Sequence, residues 1–80
     1  METREDILKG IFGRVSYLTG KDEASLDEST TFESLNLKSV NYSQITTYLE
    51  DELDVEVPYM GFRKNKTIGE AADYVFGLLD

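Results

Sequence analysis

Neither cysteine nor histidine occurs among the 80 residues, which bounds the available chemistry at once. Without Cys there is no disulfide framework, thiol nucleophile or thiolate metal site. Without His the commonest general base and the Ser–His pair are gone, and zinc loses both of its favoured ligand types. Hydroxyl and carboxylate chemistry remain. The hydroxyl of interest is Ser39, at the end of Phe32-Glu33-Ser34-Leu35-Asn36-Leu37-Lys38-Ser39-Val40. As a bare residue at a helix start it reads as an N-cap, worth about 1 kcal/mol. The carboxylates concentrate at Glu50, Asp51, Glu52, Asp54 and Glu56, five acids in seven residues. Such a run is usually a solvated face. It also suits docking of basic protein surfaces, or weak binding of a divalent cation at Glu50, Asp54 and Glu56.

The whole chain shares that acidity: sixteen acids against eight bases give a net charge of −8. This surface repels a phosphate backbone and anionic lipid, so nucleic acid and membrane surfaces are poor partners. Basic proteins are the natural ones. Eighty residues suffice for a single domain, 1–80, with a modest core. No apolar run approaches the roughly 20 residues of a spanning helix. The acidic N-terminus does not resemble a signal peptide, so a cytosolic location is expected. With no large apolar patch in view, so is a monomer.

The elements that must position these groups are mostly helical. Ile7, Leu8, Ile11, Phe12, Val15 and Leu18 form one stripe at steps of three and four, predicting a helix over 3–19. Thr3 with Asp6 resembles a capping box, and Gly20 suits a left-handed C-terminus. Gly10 and Gly13 weaken that helix by about 1 kcal/mol each relative to Ala. Residues 20–38 form a long polar connection tethered by Phe32, Leu35 and Leu37, with one short helical turn expected near Thr30 or Thr31. Residues 39–53 fit two periods: Tyr42, Ile45, Leu49 and Leu53 step as a helix, while Val40, Tyr42, Thr46 and Tyr48 alternate as a strand. Their length and the Leu-Glu-Asp-Glu-Leu ending favour helix.

Asp54 to Pro58 reads as an extended connector with Val55 and Val57 inward, because Pro58 does not suit a sheet interior. A short helix or turn fits 59–66, where Arg63, Lys64 and Lys66 form a basic patch that could pair with the acidic run. Thr67-Ile68-Gly69-Glu70 reads as a capping box in which hydroxyl and carboxylate each take the other residue's N–H. Ile68, Ala71, Ala72, Val75 and Leu79 then line a closing helix, flanked by Phe76 and Leu78.

Three segments carry a family resemblance. The Phe32–Val40 string is similar to the stretch before the modified serine of acyl carrier proteins, commonly Phe-x-x-Leu-Gly-x-Asp-Ser-Leu. Leu49-Glu50-Asp51-Glu52-Leu53-Asp54-Val55-Glu56-Val57-Pro58 resembles the family's acidic run ending in Ile-Pro. Thr67-Ile68-Gly69-Glu70-Ala71-Ala72-Asp73-Tyr74-Val75 resembles its closing Thr-Val-Gly-Asp-Ala-x-Asp-Tyr-Ile. The three lie in register without gaps over residues 32–75. The resemblance implies an all-α fold: a four-helix bundle of three main helices and a short one, with a long first loop. It resolves 39–53 as the second helix.

It further implies a carrier rather than an enzyme, with 4′-phosphopantetheine attached covalently to Ser39 between Lys38 and Val40. The positive end of a helix favours a phosphate there, and Lys38 adds a cation. Partners implied are a phosphopantetheinyl transferase and acyl-transferring or acyl-elongating enzymes with basic docking surfaces. Asn41, Gln44, Glu50 and Asp51 fall where the family's partners read the second helix. The bulky rings of Tyr42, Tyr48, Tyr59, Phe62 and Tyr74 are core or rim residues, where they can shape any space for an acyl chain.

Departures matter as much. Lys38 stands for Asp, Val40 for Leu, Asn41 and Gln44 for the usual acids. Asn36 replaces a frequent Gly and is the next best residue for a left-handed conformation. These changes point away from the general fatty acid synthase and towards a dedicated pathway in fatty acid, lipid or polyketide-type synthesis. An aminoacyl or peptidyl carrier, and a small acidic interaction domain that is never modified, stand as alternatives.

Overall fold

A computed structural model describes residues 3–79 of the chain. Helix α1 runs Arg4–Thr19, α2 Ser39–Leu53, α3 Tyr59–Arg63 and α4 Ile68–Gly77. No strand occurs among the described residues. The all-α bundle with a long first connection is the architecture expected.

Helix α1 starts and stops where its residues dictate. Asp6 N–H donates to Thr3 Oγ1 at 3.2 Å, and Gly20 adopts φ 77° while its N–H closes on Ser16 O. A left-handed residue with no Cβ removes the steric cost of that turn. The stripe of Ile7, Ile11 and Val15 is buried against both α2 and α4. Ile45 and Leu49 face it from α2; Ile68, Ala71, Ala72 and Val75 face it from α4. The paired alanines leave room for a close approach of α4 to α1. Val57 is buried and Val55 half-buried, so the connector after α2 turns its valines inward as its alternation requires.

The first connection is more ordered than its polar sequence suggests. It contains two 3₁₀ turns, Glu23–Ser25 and Glu33–Leu35. The second lies two to three residues beyond the expected start, and the first has no apolar signature. Asp22 instead accepts from Ala24 N–H to start it, a local polar cap. The expected tethers hold: Phe32 and Leu35 are buried and Leu37 half-buried. The Phe32 ring sits 5.7 Å from Tyr42 and 5.8 Å from Phe62, both tilted, a favourable aromatic arrangement.

Backbone bonds tie the connection to α4. Phe32 N–H donates to Lys66 O, Ile68 N–H to Thr30 O, and Gly69 N–H to Glu28 O. An isolated antiparallel bridge pairs Thr31 with Thr67. These satisfy orphan N–H groups at the α4 start that a capping box alone would leave open. The box itself differs from expectation. Glu70 N–H donates to Thr67 Oγ1 as foreseen, but the Glu70 carboxylate accepts from Lys66 N–H rather than from Thr67. Arg4 closes the assembly, with Nη2 on Glu28 and Nε on Asp73. One guanidinium thus bridges α1, the first connection and α4.

Candidate functional site

Ser39 is exposed and is the first residue of α2. It does not cap the helix. Lys38 holds the cap position with extended backbone, φ −93° and ψ 165°, and an ammonium has no lone pair with which to accept a backbone N–H. Half of a capping box survives from the other side: Lys38 N–H donates to Asn41 Oδ1 at 2.9 Å. Just before it, Asn36 takes the left-handed conformation, φ 53° and ψ 39°, which swings the chain from the Glu33–Leu35 turn into α2.

The Ser39 hydroxyl is therefore free for another contact, and Arg63 makes it. Arg63 Nη1 donates to Ser39 Oγ at 3.0 Å and to Tyr59 Oη at 2.8 Å. The guanidinium carbon lies 4.5 Å from the centroid of the Tyr42 ring, within cation–π range. Tyr42 is buried, and burial pushes its phenol pKa up, with the Arg63 charge working the other way. The first turn of α2 carries no acid, so the cations Lys38 and Arg63 set the local charge in an otherwise acidic molecule. A nucleophilic hydroxyl with a positioned cation can hold a phosphate ester. Among the described residues no general base partners it.

The other singled-out residues divide. Asn41 Nδ2 donates to Gln44 Oε1 at 3.2 Å, so these two form one polar strip running from Lys38. Val40 is 58% exposed, and it lines a shallow groove with Gln44, Tyr48, Asp51 and Arg14. Glu50 does not join them. It is half-buried and its Oε2 accepts from Val57 N–H at 2.8 Å, which fastens the connector after α2. Glu50, Asp54 and Glu56 are not brought together, and no cluster of three carboxylates suited to a metal ion occurs among the described residues. Glu50, one of the three carboxylates named for a weak cation, is already committed to the backbone.

Arg63 is the site residue that sequence reasoning placed elsewhere, in a basic loop patch facing the acidic run. No local pattern could have found it, because 24 residues separate it from Ser39 and only the docking of α3 on α2 closes that gap.

Residues 6–75 match the family described as the phosphopantetheine attachment site. An acyl carrier protein from Myxococcus xanthus is 30% identical over 78 residues, covering 96% of this chain and 99% of that one. One from Micrococcus luteus is 30% identical over 78 residues, 96% of each chain. Another, from Beutenbergia cavernae, is 31% identical over 77 residues, 94% of this chain and 93% of its own. The chain belongs to the acyl carrier protein family, whose members are carriers rather than catalysts and hold 4′-phosphopantetheine covalently. The donor set present fits that group: an exposed serine hydroxyl with a guanidinium beside it. No helix among the described residues is long and apolar enough to cross a membrane.

Proposed function

We propose that Ser39 is the attachment residue and that the chain carries acyl intermediates as thioesters for a dedicated biosynthetic pathway. The observation that carries the reading is the exposed Ser39 hydroxyl, uncommitted to helix capping and at the end of the segment that resembles the family's serine stretch. Loading forms the Ser39 Oγ–P bond as the pyrophosphate P–O bond of coenzyme A breaks. Adenosine 3′,5′-bisphosphate leaves, and the hydroxyl proton passes to the transferase. When bound, the arm supplies the terminal thiol that this cysteine-free chain lacks. The chain's own residues present the serine and the surface that partners read.

Intact mass after incubation with coenzyme A and a promiscuous transferase tests the assignment. A gain of one phosphopantetheine is expected, absent in Ser39→Ala. No gain with any transferase leaves an unmodified interaction domain as the better account.

The dedicated pathway rests on Lys38, Val40, Asn41 and Gln44. Together they present a neutral-to-basic strip where partners of ordinary carriers meet acids. A partner built for an acidic α2 start loses attraction here and slows its docking. General fatty acid synthesis enzymes should elongate the loaded chain much more slowly than an ordinary carrier. Equal rates would sink the dedicated-pathway reading and leave the carrier reading standing.

A further inference from the structure

We propose that Arg63 clamps the phosphodiester borne by Ser39, fastening the base of the arm to α3; this rests on the Ser39 assignment. Arg63 already stands at the ester oxygen, with Nη1 3.0 Å from Ser39 Oγ. In the loaded chain the phosphorus is one bond from that oxygen, and its two non-bridging oxygens, which share the single negative charge of the diester, necessarily lie in the same neighbourhood. A planar guanidinium fork matches two such oxygens, which a lysine ammonium cannot do with the same directionality.

Two features separate this from an ordinary surface arginine. Arg63 is pre-ordered: its guanidinium carbon lies 4.5 Å from the centroid of the buried Tyr42 ring, and Nη1 bonds Tyr59 Oη at 2.8 Å. The Tyr42 ring is itself packed against Phe32, so little side-chain freedom is lost when an anion is engaged. Arg63 is also unneutralised. In a chain with sixteen acids, no carboxylate lies within ion-pair distance of it among the described residues, whereas Arg4 has two. Its charge is directed at the serine instead. Lys38, one residue before the serine, adds to the local potential without a directed contact.

The test uses the full chain, isotopically labelled, before and after loading with coenzyme A and a promiscuous transferase, with loading confirmed by mass. The Arg63 Nε–H resonance should shift on loading while those of Arg4 and Arg14 stay in place. The ³¹P shift of the diester should differ between loaded wild type and loaded Arg63→Gln. That difference should shrink in molar salt, as screening predicts for an exposed pair. Arg63→Lys, keeping charge without the fork, should give an intermediate ³¹P shift.

A loaded chain whose Arg63 resonance is unmoved, or the same ³¹P shift with and without the guanidinium, overturns the clamp. Should Arg63→Gln fail to fold, the wild-type resonance and the Arg63→Lys spectrum decide alone. Absence of any mass gain overturns the Ser39 assignment itself, and the clamp with it. A mass gain without the shifts overturns only the clamp.

Discussion

Three residues from two helices define the surroundings of Ser39: Arg63 of α3 bonds the hydroxyl, Tyr59 of α3 accepts from the same guanidinium, and the Tyr42 ring of α2 lies under it. Holding α3 in place is therefore a requirement of the site, and at Gly61 α3 has little room against α4. A Cβ built there would fall 2.0 Å from Tyr74 Oη and 2.6 Å from Tyr74 Cζ, so the α4 ring must move to admit any side chain. Gly61→Ala is expected to destabilise by about 1–3 kcal/mol, the usual cost of overpacking. Thermal melting checks this, and the melting temperature should fall by several degrees or more. Adding Tyr74→Phe should restore only part of the loss, because the ring carbon clashes as well as the hydroxyl. Full restoration would show that the hydroxyl alone is responsible.

At the scale of elements, α2 is the least self-sufficient of the three long helices. Thr3 and Thr67 cap α1 and α4 with side-chain oxygens; Lys38 offers α2 none. Ser39, Asn41, Tyr42, Ser43, Thr46, Thr47 and Tyr48 are all weak helix formers. What holds α2 is tertiary: Ile45 and Leu49 in the core, and Asn41 returning to the Lys38 N–H. In the unmodified chain, amide exchange should be faster in the first turns of α2 than in the middles of α1 and α4. Equal protection of all three would mean that packing alone equalises them.

For the molecule as a whole, charge sets the response to acid. Arg4 joins α1, the first connection and α4 through Glu28 and Asp73, and its own pKa is raised by those two partners, Glu28 first. The Arg4 hydrogen bond lowers the Glu28 pKa, and hydrogen bonds from Ser29 lower that of Asp27. A carboxylate depressed in the folded state contributes stability that is complete above its unfolded pKa and is lost as pH falls through the folded value. The loss should begin near the ordinary glutamate pKa of about 4.3 and continue below it. Relief of self-repulsion as the net charge of −8 is titrated acts the opposite way. Because both chains share that relief, the comparison of wild type with Glu28→Gln isolates the pair. Denaturant melts between neutral pH and pH 3 should show wild type losing its advantage over Glu28→Gln on the acid side. A constant difference across that range would mean the Arg4–Glu28 contact is not formed in solution.

Much of this was legible from residue order. The α1 stripe, its Thr3 and Gly20 ends and the left-handed Asn36 are local or periodic features. Their physical causes act over a few residues: capping oxygens, steric freedom and the 3.6-residue period. For α2, length and the Leu-Glu-Asp-Glu-Leu ending only favoured helix and the resemblance resolved it, because its Tyr, Thr and Val residues serve either period until a core chooses the face. The bridge at Thr31 and Thr67, the diversion of Glu70 to Lys66 and of Glu50 to Val57, and the meeting of Arg63 with Ser39 were decided by tertiary structure. Each depends on which chain segments the packed core brings side by side. A cation's partner in particular has no sequence period: Arg63 could have answered the acidic run, yet the fold aims it at the serine.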